Sequence, residues 1–233
     1  MKLRASRFLG KAPARCFVVL SHKQNMINYR NPRCGRWYGW YDDSEEQARA
    51  LIRQQRNAYP NFVLKVLLER ATAWCYARSL RDHGRPHPVS ITIAQRGGFY
   101  LDGFKSYLAK DRRNWVSRTG TLPGYLAWPV VEIDLIGTAP AANVAGLQLA
   151  DIVTGAFSRA IDENRFGSCD RRFATNLKPR MAIRGRNAAS FGVTGLPWQL
   201  SRAPMTVEQQ ETFRMFGYGR QKLVRPGPIL PIG

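Results

Sequence analysis

Asp151 lies in the middle of Gly146–Ile161, a segment in which apolar residues recur at intervals of three and four. That spacing predicts an α-helix, and Asn143 stands where a residue that caps the first turn would be expected. Because most of the segment is apolar, we expect the helix to be buried on nearly every side. A buried carboxylate is costly unless something compensates its charge. Asp151 therefore either has a structural partner, such as a loop or an arginine, or faces a metal ion or substrate from the wall of a cleft.

Glu69 is a second acid within an apolar pattern. Pro60 precedes a predicted helix that runs from Asn61 to about Leu80, and Glu69 shares one face of it with Phe62, Val66, Ala73 and Tyr76. Lys65 and Arg70 are close enough in sequence for either to neutralise the Glu69 carboxylate. A structural ion pair and a functional carboxylate are both open interpretations of Glu69.

Three strands are predicted around these helices, over residues 15–21, 88–94 and 130–136. The first is a continuous apolar, β-branched run, and the second alternates apolar and polar residues. In the third strand, Glu132 and Asp134 alternate outward, so we expect both carboxylates to face solvent. The order of strands and helices is typical of an α/β domain.

Further helices are predicted over 3–12, 44–56, 100–112 and 206–216. Asp102 lies in the first turn of the third of these helices, where a negative charge suits the helix dipole. The second and fourth begin with capping boxes, formed by Ser44 with Gln47 and by Thr206 with Gln209. We expect an α/β domain over residues 1–165. A basic extension over 166–233, rich in Gly, Pro and Arg, has one short helix and an extended end at 225–233.

The net charge of +20, from 36 basic and 16 acidic residues, is the strongest compositional feature. The excess is +8 in residues 1–60, +4 in 61–165 and +8 in 166–233. Such a charge favours a polyanionic partner, most simply nucleic acid. The alternative is compositional: 28 of the basic residues are arginine, as a GC-rich genome would supply without selection for binding.

Several classes of protein do not fit the sequence. No apolar run is long enough for a membrane helix, and no secretory signal is visible, so we expect a cytoplasmic protein that does not span a membrane. The four cysteines are far apart, which argues against a zinc site and a disulfide framework. The loop over 28–41 interleaves aromatic residues with arginines, a composition that suits stacking on bases as well as an ordinary packed loop.

The chain resembles the domain of unknown function 3800 family, a large family of bacterial and phage proteins with a ribonuclease H-like fold. The resemblance rests most on Leu147–Gly155, and is supported by Phe17–Lys23, Asn61–Arg70 and Ile91–Gly97. It implies a mixed sheet flanked by helices, on which carboxylates converge to bind divalent metal, Mg²⁺ or Mn²⁺.

The same resemblance implies metal-dependent cleavage of phosphodiester bonds in nucleic acid. Glu69 and Asp151 would be the metal ligands and catalytic acids, while Lys23 or Arg96 would steer phosphate. Members of the family usually open with a strand that ends in Asp-Glu-Ser-Gly. This segment is missing here, and Arg96 follows Ala-Gln where a further acid is common.

The missing acids leave two hypotheses about function. One is a nuclease that retains Glu69 and Asp151. The other is a catalytically inactive module that binds nucleic acid or protein, derived from a nuclease and belonging to a mobile element or defence system. Under either hypothesis we expect the domain to be N-terminally incomplete, and a homo-oligomer or a second chain could supply the missing strand.

Overall fold

A computed structural model describes residues 2–21, 58–116, 126–196 and 205–219. Within these ranges the chain is a mixed α/β protein. Lys23, the aromatic loop over 28–41, the helix predicted over 44–56 and the final segment 225–233 lie outside the described residues.

The helices and strands of the described ranges alternate along the chain. In order they are α1 (Lys2–Leu9), β1 (Val18–Ser21), α2 (Ala58–His83), β2 (Val89–Ala94), α3 (Leu101–Val116), β3 (Val131–Ala139), α4 (Ala145–Ile161), α5 (Arg172–Leu177), β4 (Val193–Leu196) and α6 (Val207–Met215). The predicted strands and helices that fall in these ranges are thereby confirmed, with ends that differ by a few residues.

The chain divides into two compact units. Unit 1 contains Met1–Leu20 and Pro140–Pro226, and unit 2 contains Ser21–Ala139 and Gly227–Gly233. Both ends of the described chain thus contribute to unit 1. The boundary predicted near residue 165 falls inside unit 1.

Unit 2 is built around a β–α–β arrangement. Strands β2 and β3 pair in parallel and are connected through α3, the connection that parallel strands require. The register shifts between Val89, opposite Val131, and Ile91, opposite Ile136, so β3 bulges between these pairs. Phe104 and Leu108 of α3 are fully buried in the core beneath this sheet.

The outward faces of unit 2 follow the predicted alternation. Glu132 and Asp134 are exposed, as expected, and Asp102 lies in the first turn of α3. Among the described strands, β2 pairs with β3 and β1 pairs with β4, in two two-stranded sheets.

Unit 1 has a core of its own, formed by apolar side chains of α1, α4, α5 and α6. Phe157 of α4 packs on Phe216, with ring centroids 5.1 Å apart. The capping box of Thr206 and Gln209 is confirmed, since each side chain bonds to the backbone N–H of the other. The expectation of one helix after residue 166 is wrong, because α5 precedes α6; at six residues it is too short to show a helical period.

Tyr218 fastens the described C-terminal segment to β4. Its hydroxyl donates to the carbonyl oxygen of Val193 at 2.7 Å and accepts from the backbone N–H groups of Ser190 and Gly195 at 2.9 and 3.2 Å. No helix within the described ranges combines the length and the apolar character needed to cross a membrane.

Candidate functional site

The outward face of α1 carries three cations and an aromatic ring. Ser6 and Leu9 of this helix are buried, which turns the opposite side toward solvent. Arg4, Arg7, Phe8 and Lys11 are all exposed, Phe8 by 70%. Their spacing of three, one and three residues places them on one side of a helix, with Lys11 just beyond its end. We call these four residues the basic stripe.

The basic stripe is fixed to the rest of unit 1. Helix α1 packs against α4 and α5. Asn176 Nδ2 donates to Ser6 Oγ at 3.1 Å. Arg180 donates from Nε to the carbonyl oxygen of Gly10 at 2.8 Å and from Nη2 to that of Lys11 at 3.2 Å. A Cβ at position 10 would lie 2.3 Å from the carbonyl oxygen of Asn176, so this close approach requires glycine.

The cations of the stripe differ from Arg172, an arginine of unit 1 that is paired with a carboxylate. Arg172 forms two bonds of 2.9 Å to Asp170, which hold the pKa of that carboxyl below its usual range. Among the described residues, no carboxylate forms an ion pair with Arg4, Arg7 or Lys11, and α1 contains no acid. Their charges are therefore available to an external anion.

Arg7 also belongs to an open cleft in unit 1 with a volume of about 580 Å³. Its lining residues are Arg7, Cys169, Asp170, Arg171, Arg172, Thr175 and Asn176. Arg172 is paired with Asp170, and Arg171 lies 3.5 Å from a carboxylate oxygen of Glu208 and 3.4 Å from one of Glu211. Arg7 is therefore the cation of this lining that has no carboxylate partner among the described residues, and it is shared by the basic stripe and the cleft.

Glu69 lies in unit 2, and its surroundings are those of a structural acid. It is 3% exposed and is contacted by both of the cations that the sequence suggested. Lys65 Nζ lies 3.9 Å from Glu69 Oε1, and Arg70 Nη1 lies 3.5 Å from Glu69 Oε2. Arg70 itself is 1% exposed. Glu69 is thus in contact with both cations at a buried position.

Asp111 is a further member of this charge cluster that the sequence pattern did not single out. Its Oδ1 accepts a hydrogen bond of 2.5 Å from Lys65 Nζ. Its Oδ2 is buried and has no hydrogen-bond partner within the described parts of the chain. Burial raises the pKa of the Asp111 carboxyl, and the neighbouring Lys65 opposes that rise. Lys65 thus stands between two carboxylates, Glu69 and Asp111.

Asp151 lies in unit 1, on α4, and its predicted burial is wrong. The side chain is exposed, and in the described ranges it forms no ion pair. Only one face of α4 is buried, and this face consists of Val153, Ala156, Phe157 and Ala160. The other face is exposed and carries small residues such as Ala150 and Gly155 together with polar residues such as Thr154 and Ser158.

Asn143 does not cap α4. It ends a short 3-10 turn, Ala141–Asn143, and the N-cap residue is Val144 with an extended backbone and no side-chain cap. The Gln148 side chain instead donates from Nε2 to the carbonyl oxygen of Ala142 at 2.9 Å.

Arg96 and Lys23 are the remaining predicted site residues. Arg96 is exposed in the turn that follows β2, and its carbonyl oxygen accepts from the N–H of Phe99. Lys23 lies outside the described residues. Glu69 and Asp151 belong to different units. Among the described residues, no three His, Cys, Asp or Glu side chains form a group that could hold a metal ion.

The basic stripe was missed at the sequence level although its signal is present. The first predicted helix has cations and Phe8 at helical spacing opposite the apolar positions, but the helix is too short for that pattern to stand out. Asp111 carries no such signal, because its partner Lys65 is 46 residues away.

Comparison with known proteins found no matching family model, no similar curated protein and no similar solved structure.

Proposed function

We propose that this protein binds nucleic acid through the basic stripe of α1 and the adjoining cleft of unit 1. The observation that carries the proposal is the exposure of Arg4, Arg7 and Lys11 on one face without carboxylate partners among the described residues. Cations that are not already paired can replace the counterions of a phosphate backbone, and the release of those counterions drives binding. The overall charge of +20 favours the same partner.

The surroundings of Glu69 support binding without cleavage. A metal ligand must offer its carboxylate to the cation, whereas Glu69 already faces Lys65 and Arg70. Lys65 occupies the space between Glu69 and Asp111 and supplies positive charge there. The proposed function is therefore the catalytically inactive binding module, built on an α/β fold that we propose to be ribonuclease H-like. A cytoplasmic location, in a phage, mobile-element or defence setting, belongs to the same proposal.

The second candidate is metal-dependent cleavage of phosphodiester bonds, as the family resemblance implies. The observation that favours it is the exposed Asp151 side chain, which lies in the most specific motif of that resemblance. In this candidate Asp151 and Glu69 bind Mg²⁺ or Mn²⁺, with substrate phosphates completing the coordination, and Arg96 and Lys23 contact phosphate.

The binding proposal is tested by measuring the affinity for a labelled oligonucleotide by fluorescence anisotropy. The combined variant Arg4→Ala, Arg7→Ala, Lys11→Ala is expected to lose at least about tenfold in affinity, because three phosphate contacts are removed. A matched control in unit 2 removes the same charge through Arg85→Ala, Lys110→Ala and Arg113→Ala, three exposed cations that lie outside the stripe.

Three results are informative. The proposal is supported if the stripe variant loses affinity while the control variant binds with near-native affinity. An equal loss of affinity in both variants would mean that binding is not localised to the basic stripe. The cleavage candidate is tested in the same samples with Mg²⁺ or Mn²⁺: cutting by the native chain that disappears in folded Asp151→Asn and Glu69→Gln would replace the inactive module with a nuclease.

A further inference from the structure

We infer that the basic stripe selects single-stranded nucleic acid, because Phe8 presents its ring for stacking on an unpaired base. This inference rests on the proposed binding of nucleic acid and adds the class of strand that is bound. It starts from the position of Phe8, which is 70% exposed between cations on a helix whose other face is buried.

An exposed phenylalanine at this position has no role in the core of unit 1. Among the described side chains of α1, Leu9 and Ser6 are buried, whereas Phe8 is exposed. Beside an aromatic ring, guanidinium and ammonium groups contact phosphates while the ring stacks on a base. In a duplex the base faces are already stacked on each other, so only an unpaired base offers its face to Phe8.

The position of Arg7 extends the same arrangement. Arg7 is adjacent to Phe8 in sequence and lines the cleft together with Arg171 and Arg172. A strand with one base on Phe8 would therefore have a neighbouring phosphate at Arg7 and could continue into the cleft. The stripe and the cleft form one path for a flexible strand.

A membrane surface is the other partner that a basic helix with an aromatic residue could bind. Interfacial helices insert a broad apolar face between lipids. In α1 that face is already used, since Leu9 is 1% exposed and packs in the core of unit 1. Among the α1 residues whose side chains are described, Phe8 is the one exposed apolar residue, which favours stacking on a base over insertion into lipid.

The experiment compares oligothymidylate with a duplex of equal length, using the full chain and the variant Phe8→Ala. Loss of one stacked base is expected to weaken single-strand binding about 5- to 150-fold, while duplex binding changes less than about twofold. Phe8→Trp is expected to retain single-strand affinity because the aromatic face is kept. Both substitutions are on an exposed position, and circular dichroism checks that the variants fold.

Phe166→Ala is the matched control. Phe166 is also an exposed phenylalanine of unit 1, at 78%, but the Arg165 guanidinium lies over its ring, 4.7 Å from the centroid, and two acids, Asp162 and Glu163, precede it closely in the sequence. Its removal is expected to leave both affinities near native.

The outcomes separate this inference from the proposal beneath it. Native binding to oligothymidylate that Phe8→Ala leaves unchanged, or an equal loss of single-strand and duplex binding, overturns the stacking role while nucleic-acid binding stands. No native binding to either probe overturns both. Binding to phosphatidylserine vesicles that Phe8→Ala weakens, with oligothymidylate binding unaffected, assigns Phe8 to a membrane surface instead.

Discussion

Lys65 Nζ lies 2.5 Å from Asp111 Oδ1, and this contact joins α2 to α3 within unit 2. The same ammonium group lies 3.9 Å from Glu69 Oε1. The positive charge of one lysine thus partly compensates the negative charges of two largely buried carboxylates. The stability of unit 2 should depend on this single cation more than on any exposed ion pair.

Replacement of Lys65 by methionine is expected to destabilise the protein by about 2–4 kcal/mol, because two buried carboxylates then lose their shared counter-charge. Methionine keeps the length of the apolar stem, so the loss reports charge more than packing. The measurement is the free energy of urea-induced unfolding. Arg78→Met is the control, since Arg78 pairs with Asp82 in an exposed position. A Lys65→Met variant as stable as this control would contradict the account of the cluster.

The Asp111 carboxyl predicts a dependence of stability on pH. Burial raises its pKa in the folded protein above the ordinary value of 3.8. The folded state therefore holds a proton that the unfolded state releases, and the contribution of Asp111 is full below pH 3.8 and lost as pH rises through the folded pKa.

The measurement compares the native chain with Asp111→Asn, which cannot titrate. As pH rises from 3.8, the unfolding free energy of the native chain should fall relative to that of the variant. A difference between the two proteins that stays constant, or that moves in the opposite direction, would show that the carboxyl is not held in this way.

Tyr218 predicts a second large effect on stability, this time in unit 1. Tyr218→Phe removes a buried hydroxyl that bonds to Val193, Ser190 and Gly195, and leaves their backbone groups without this partner. We expect a loss of about 1–3 kcal/mol in the free energy of unfolding. Tyr100→Phe is the matched control: Tyr100 is 59% exposed, and its change should stay within about 0.5 kcal/mol. Equal effects of the two substitutions would refute the role given to the buried hydroxyl.

Local patterns in the sequence were sufficient to predict contacts that form within a single helix or strand. Lys65 and Arg70 are candidate partners of Glu69 from the sequence, because Lys65 lies four residues away on the same helix face and Arg70 is the next residue in the chain. The capping box of Thr206 and Gln209 is likewise a local arrangement, and the structure confirms it.

The features that the sequence did not predict depend on tertiary packing. Asp111 meets Lys65 only because α2 and α3 pack together, which no spacing in the sequence reveals. Asp151 was expected to be buried because its neighbours are apolar, but alanine and glycine give an apolar composition without being drawn into the core as strongly as larger residues. The union of residues 1–20 with 140–226 in one unit is also a tertiary feature.

The most direct test of the central claim is the salt dependence of oligonucleotide binding between about 50 and about 200 mM NaCl. Each phosphate contact contributes to the slope of log affinity against log salt concentration. The variant that lacks the cations of Arg4, Arg7 and Lys11 should therefore have a slope shallower than native by about 2–3, and the unit 2 control should keep the native slope. Identical slopes for all three proteins would contradict the claim that the basic stripe holds the phosphate backbone.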